Sequence, residues 1–337
     1  MKWRDFAVLI TAESLFLRSA VFLGGVPMDT VLQILMLAAG LVLLVKGADF
    51  FVAGSSELAT KFGISQLIIG LTVVAMGTSL PEAAVSISGV IKGSSDITVG
   101  NVLGSNILNV LIILGLSSVI APLAVGASTV RHELPFLAAV TVLLLVQGLD
   151  GAVGPADAVV LTVLFALYLV YLIITAKRNP EKTTVSSCKT ENRPRYMLLK
   201  IFFGLAMTIA GSSISVDAAS AIALTMGMSE RFVGLTVVAL GTSLPELFTS
   251  LTAAIRKKSD IAVGNIVGSN IFNILFVIGV SALIKPVTFS EGFVFDCVFA
   301  LISVLLLLLF CIKGKTLGRF NGAVMLAGYA VYFALIL

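Results

Sequence analysis

One histidine, His132, and three cysteines, Cys188, Cys297 and Cys311, are the only imidazole and thiol groups in 337 residues. The cysteines form no CxxC pair. Cys297 and Cys311 lie in or near apolar stretches and Cys188 in a polar one, so all three read as packing or incidental thiols. This composition argues against a zinc or copper site built from His and Cys. Charge is scarce as well: 12% of residues are Asp, Glu, Lys or Arg, against about 25% in a soluble protein. What remains is apolar, with 58% hydrophobic residues and a mean hydropathy of +1.10. The chain is therefore expected to be a polytopic membrane protein, and a soluble enzyme is set aside.

Ten hydrophobic stretches can be marked at about 30–56, 63–91, 97–120, 133–149, 155–176, 198–223, 229–255, 261–284, 291–312 and 317–336. A spanning helix needs about 20 residues. The longest polar stretch, KRNPEKTTVSSCKTENRPRYM at 177–197, holds two prolines and mixed charge. It divides the chain into a first half, 30–176, and a second, 198–337, of five spans each, and is too short to fold as a regulatory domain. Residues 1–29 form an extension of uncertain status. Its apolar run carries Glu13 and Arg18, so it suits a poor signal peptide, an interfacial helix or, as favoured here, an extension ahead of the natural start at Met28. With loops alternating sides, Lys61, Arg131, the basic linker, Arg256-Lys257-Lys258 and the Lys313/Lys315/Arg319 group share one side; Lys92, Arg231 and Lys285 fall on the other. The linker side is expected to be cytoplasmic in a multi-pass inner or plasma membrane protein.

GLTVVAMGTSLPE at 70–82 returns as GLTVVALGTSLPE at 234–246, and DITVGNVLGSNILNVLIILG at 96–115 returns as DIAVGNIVGSNIFNILFVIG at 260–279. Glu82/Glu246, Asp96/Asp260 and Asn109/Asn273 share one displacement, so the halves align here without a gap. Five spans per half is an odd number, so the second copy is expected to enter the membrane upside down. The fold class is thus all-α, ten transmembrane helices in two inverted five-helix repeats, a transporter arrangement.

In Gly77-Thr78-Ser79-Leu80-Pro81-Glu82, Thr78 and Ser79 lie four and three residues before Glu82, on one helical face. Pro81 has no N–H for the Gly77 carbonyl and kinks the helix. Hydroxyls, a loosened carbonyl and a carboxylate are expected to converge, and Gly241 to Glu246 repeats the set. A charged carboxylate at mid-membrane costs about 2.5–3.5 kcal/mol on insertion scales. These helices offer no Lys or Arg to neutralise it, and a bound cation or proton would offset the cost. Ser105 and Asn109, four apart, add a second face, matched by Ser269 and Asn273. Gly100/Gly104 and Gly264/Gly268 are GxxxG pairs expected to let helices approach closely. Taken singly, each of these features has a plain structural explanation: a kink, a back-bonded hydroxyl, a packing glycine. Their conjunction, duplicated, points to an oxygen-lined site for Ca²⁺ or Na⁺. Asp49 is expected to pair with Lys46, Asp217 and Asp296 to sit near interfaces, and Asp96 and Asp260 to open their helices as first-turn caps.

GTSLPE followed by GNVLGSNILN, and again GTSLPE followed by GNIVGSNIFN, resembles the two alpha repeats of the cation/Ca²⁺ exchanger superfamily, in its prokaryotic sodium/calcium exchanger-like branch. The resemblance runs from about residue 30 to the end. It implies alternating access around a central site, with Glu82 and Glu246 as the main carboxylates for Ca²⁺ and Na⁺. It also implies hydroxyl or carbonyl ligands from Thr78, Ser79, Thr242 and Ser243, backbone oxygens from Ala75 and Ala239, and Ser105, Asn109, Ser269 and Asn273 completing the Na⁺ sites. Potassium-dependent members carry Asp where this chain has Asn273, which argues against K⁺ co-transport. The expected activity is Na⁺/Ca²⁺ antiport, with H⁺/Ca²⁺ antiport second and a cation channel third. An intramembrane enzyme lacks a nucleophile–base pair or metal pair. The expected partners are Ca²⁺ and Na⁺ as substrates and the lipid bilayer, with no cofactor, no nucleic acid and a monomer as the working unit.

Overall fold

The computed structural model describes residues 22–23, 26–178, 194–228 and 239–336. Most of the N-terminal extension and of the linker, and residues 229–238 of the seventh expected span, lie outside the described residues. Within them the chain is almost wholly helical. Eight helices are long and apolar enough to cross a membrane, and nine if one bent pair is counted as a span.

The first half comprises α1 (Met28–Phe62), the bent pair α2 (Gln66–Thr78) and α3 (Leu80–Ile91), α4 (Ser95–Ile120), α5 (Thr129–Gly148) and α6 (Pro155–Arg178). The second comprises α7 (Pro194–Thr225), α8 (Ala239–Thr242), α9 (Leu244–Ile255), α10 (Ser259–Ile284), α11 (Glu291–Gly314) and α12 (Arg319–Ile336). Both ends of the polar stretch thus belong to helices, α6 running to Arg178 and α7 starting at Pro194.

Proline and glycine place the breaks. Pro81 and Pro245 stand within the first two positions of α3 and α9, where a missing N–H costs nothing. The chain bends by 48° between α2 and α3 at Ser79 (φ −84°, ψ 9°). The expected kink is therefore a full helix break, and Glu82 becomes a first-turn residue of a new helix. A π-helical turn follows in α4 at Asn109–Leu114 and in α10 at Asn273–Ile278. Such turns often mark functional sites in helices, and the sequence pattern gave no warning of them.

α4 and α10 are the central helices, with 72% and 83% of their apolar windows buried inside the protein against 17–39% for the other spans. α1 and α7 pack on each other in opposite directions: Gly40 faces Gly211, Gly47 faces Gly204 and Thr208, and Gly54 faces Lys200 and Ile201. These glycines recur every seven residues, which keeps a coiled seam in register. A Cβ on Gly47 would stand 2.6 Å from the Thr208 nitrogen, and one on Gly204 2.5 Å from that of Phe51. Small residues here let two backbones touch. Two short antiparallel ribbons tie the halves together, Leu123–Ala124 with Thr316–Leu317 and Ala152–Val153 with Val287–Thr288. Each strand's repeat counterpart lies in the other ribbon.

Candidate ion-binding site

Glu82 and Glu246 are both 0% exposed. Each heads a helix that starts beside it, so the positive end of a helix dipole faces the carboxylate. Their hydrogen bonds cross between the halves. Ser79 donates through Oγ to Glu246 Oε1 at 2.8 Å, and Ser243 donates to Glu82 Oε1 at 3.3 Å. Helical spacing placed each serine on one face with the carboxylate of its own segment; the structure bonds it to the carboxylate of the other half. The reason is the break at Ser79 and Ser243, which swings the hydroxyl out of the helical stack and across the centre.

The helices behind these carboxylates interlock in the same reciprocal way. Asn101 Nδ2 donates to the Glu82 carbonyl at 3.2 Å and to Ser86 Oγ at 3.0 Å, while Asn265 Nδ2 donates to the Glu246 carbonyl at 3.5 Å and to Ser250 Oγ at 2.8 Å. Thr78 donates to Asn265 Oδ1 at 3.1 Å and Thr242 to Asn101 Oδ1 at 3.4 Å. Asn109 Nδ2 donates to Asn270 Oδ1 at 2.9 Å and Asn273 Nδ2 to Asn106 Oδ1 at 3.2 Å. Asn106 and Asn270 each donate to the other's carbonyl, at 3.3 and 3.1 Å. Ser243 also reaches Ser105 Oγ at 3.3 Å, and Ser269 donates to the Ala75 carbonyl at 3.4 Å.

Thr78, Ser79, Glu82, Ser105, Asn109, Ser243, Glu246, Ser269 and Asn273 are all buried, and this network draws them to the middle of the molecule. The Ala75 carbonyl accepts from Ser79 N at 3.1 Å and from the Ser269 hydroxyl at 3.4 Å, which places it at the edge of the same network. Ala239 opens α8; its side chain is not among those described. Thr242 joins the network through Asn101.

Within this network four buried acceptors have no hydrogen-bond partner: Oε2 of Glu82 and of Glu246, and Oδ1 of Asn109 and of Asn273. An acceptor buried without a donor is costly, and a buried charge more so. The donors that could have relieved them are spent holding the halves together. Two carboxylates and two amide oxygens make a hard-oxygen set, the kind Ca²⁺ and Na⁺ take. Among the described residues no third His, Cys, Asp or Glu side chain joins the two carboxylates.

Sequence reasoning missed the second asparagine tier. Asn101, Asn106, Asn265 and Asn270 carry the scaffold, and Ser86 and Ser250 anchor it. Each recurs at the same displacement as Glu82 and Glu246, which was the available signal. Gly264 and Gly268 do provide close packing: a Cβ on them would stand 3.1 Å from Gly70 Cα and 2.7 Å from Ala75 Cβ. Gly100 and Gly104 show no such approach among the described residues: a Cβ on Gly100 would meet only Phe293, at 3.6 Å, and one on Gly104 nothing within 4 Å. Asp49 pairs with Arg256 of α9 and not with Lys46. Asp296 accepts from Tyr332 Oη at 2.9 Å. Asp96 and Asp260 lie in the first turns of α4 and α10, but the capping positions are held by Ser94 and Lys258.

Residues 32–174 and 196–337 match the family described as sodium/calcium exchanger protein. The chain is 31% identical to the sodium/calcium exchanger MaX1 of Methanosarcina acetivorans, over 90% of this chain and 97% of that protein. It is 37% identical to the inner membrane protein YrbG of Escherichia coli, over 89% and 95%. Its fold matches a structure of the sodium-calcium exchanger NCX_Mj soaked with 10 mM Na⁺ and zero Ca²⁺, with a TM-score of 0.80 and 34% identity over 90% of this chain and 99% of that one. With both halves matched at the segments that build this oxygen-lined centre, the chain is a multi-pass membrane protein that belongs to the sodium/calcium exchanger family.

Proposed function

We propose that the protein exchanges Na⁺ for Ca²⁺ across the membrane by alternating access. The observation that carries this reading is the central pair of buried carboxylates, each held by a serine of the opposite half and each left with an unpartnered oxygen. Glu82 and Glu246 would be the ligands shared by Ca²⁺ and Na⁺. Thr78, Ser79, Thr242, Ser243, Ser105, Asn109, Ser269 and Asn273, with the carbonyls of Ala75 and Ala239, would supply the neutral oxygens.

Ten spans in two inverted halves fit what is described. The antiparallel packing of α1 on its own repeat counterpart α7 supports inversion. The tenth span would be completed by residues 229–238, ahead of α8 and α9. The halves would be 30–176 and 198–337, with the 177–197 linker in the cytoplasm.

Coupling follows from sharing. One Ca²⁺ or several Na⁺ can satisfy the carboxylates, but both sets cannot occupy the same oxygens. An empty site leaves two bare carboxylates in a medium of low dielectric, which disfavours crossing between states. The α1–α7 pair, joined through its glycine seam, would slide as one body past the fixed centre, opening the site to one side at a time.

The test is ⁴⁵Ca²⁺ uptake into proteoliposomes loaded with Na⁺, with K⁺ or with acid, each against a no-gradient control. Uptake that requires internal Na⁺ is expected. Uptake driven by internal acid alone would place the protein among H⁺/Ca²⁺ exchangers, and uptake without a counter-ion gradient would make it a channel.

A further inference from the structure

Two ion pairs join α1 to other helices. Lys200 Nζ of α7 meets Glu57 Oε1 at 2.6 Å, and Arg256, at the C-terminal cap of α9, meets Asp49 two turns earlier on α1. They differ in what they join. Glu57–Lys200 links the two helices of the α1–α7 pair to each other. Asp49–Arg256 links that pair to the rest of the molecule.

The internal repeat shows what stands at the opposite end of the molecule. The displacement that relates Glu82 to Glu246 relates Asp49 to Ser213 and Lys92 to Arg256, and Lys92 caps α3 as Arg256 caps α9. It also relates Glu57 to Ala221 and Met36 to Lys200. Neither ion pair has a counterpart. The packing is one-sided too: α1 lies along α9, whereas α7 has no comparable packing along α3 among the described residues.

In an inverted repeat the two access states arise when the halves exchange roles, and identical halves would give states of equal free energy. Anything present in one half alone tilts that balance. We propose that Asp49 and Arg256 form a one-sided latch, which holds the α1–α7 pair against α9 and favours the state closed at the face bearing Arg256. This rests on the reading that α1 and α7 slide together. Glu57–Lys200 travels with the pair and survives the movement. Asp49–Arg256 spans the sliding surface and must break. By the positive-inside argument its face is the cytoplasmic one, so the latch favours the outward-open state.

The side chains of Arg256 and Asp49 are 40% and 43% exposed, so the bias is modest, about two- to five-fold in the ratio of states. It shrinks as inert salt rises. Lys46, one turn from Asp49, and Lys257, next to Arg256, can take up part of a lost charge, so both partners need to be varied.

The test places spin labels at Phe62, at the end of α1, and Ile255, at the end of α9, both 60% exposed or more. The full chain, with Cys188, Cys297 and Cys311 replaced and Ca²⁺ exchange retained, is measured without ions, with Ca²⁺ and with Na⁺. Asp49→Asn and Arg256→Gln are each expected to move two- to five-fold of the population ratio from the short to the long distance. The reversed pair, Asp49→Arg with Arg256→Asp, is expected to restore the starting ratio. Ser213→Asp, whose carboxylate would meet Lys92 only in the opposite access state, is expected to favour the long distance in an otherwise unchanged chain. Ion-dependent populations that neither single substitution moves would overturn the latch and leave sliding intact. One distance that no ion alters would overturn the sliding reading and the latch together.

Discussion

Ser79 and Ser243 have the same sequence context and different geometry. Ser79 reaches Glu246 at 2.8 Å and Ser243 reaches Glu82 at 3.3 Å. A hydrogen bond to a charged group contributes about 1.5–3 kcal/mol, and less as it lengthens. Ser79→Ala is therefore expected to weaken apparent Ca²⁺ affinity by roughly ten-fold or more, and Ser243→Ala by less, read from the concentration dependence of ⁴⁵Ca²⁺ uptake. Equal effects would mean that the asymmetry has no functional weight. Glu82→Gln and Glu246→Gln are each expected to abolish Na⁺-driven uptake while the purified protein stays monodisperse. The two carboxylates were legible in the sequence, because a charge repeated in an apolar run has no cheap structural explanation. The destinations of the serines were not. Helical spacing predicts neighbours within one helix, and these bonds form only where the helix has ended.

The elements were legible wherever hydrophobic length decided them. All ten expected stretches have helix in their described parts, and the ends shift by a few residues. What escaped was the interruption of helices. Pro81 and Pro245 read as kinks, yet each sits at a helix start, and the π-turns at Asn109 and Asn273 leave no trace in composition. The glycine seam between α1 and α7 was also unread, because its seven-residue spacing shows only when two distant helices are laid together. It gives a direct test. Gly204→Ala places a methyl 2.5 Å from the Phe51 nitrogen, a backbone atom that cannot turn aside. Gly328→Ala on α12 meets nothing nearer than Leu111 at 3.8 Å. Overpacking of this kind typically costs about 1–3 kcal/mol. Gly204→Ala is expected to lower the thermal midpoint in detergent by a few degrees and to slow exchange, with Gly328→Ala unchanged in both.

At the scale of the whole molecule, two halves that share their central motifs are joined by amides and hydroxyls that each reach across. The duplication was legible in the sequence, and inversion of the second half is the arrangement proposed from it. The structure adds that the scaffold spends its donors on itself and leaves four acceptors at the centre unanswered. A ligand that binds the folded state and not the unfolded one raises stability with concentration. Ca²⁺ is accordingly expected to raise the thermal midpoint of the unsubstituted chain and to leave Glu82→Gln/Glu246→Gln unmoved. The central claim is that one set of oxygens serves both ions. Its most direct test is equilibrium Ca²⁺ binding to the purified protein at rising Na⁺, with choline holding ionic strength constant. Apparent Ca²⁺ affinity is predicted to fall steeply and without a floor as Na⁺ rises. Ca²⁺ binding that Na⁺ leaves unchanged would mean separate sites, and would contradict the account.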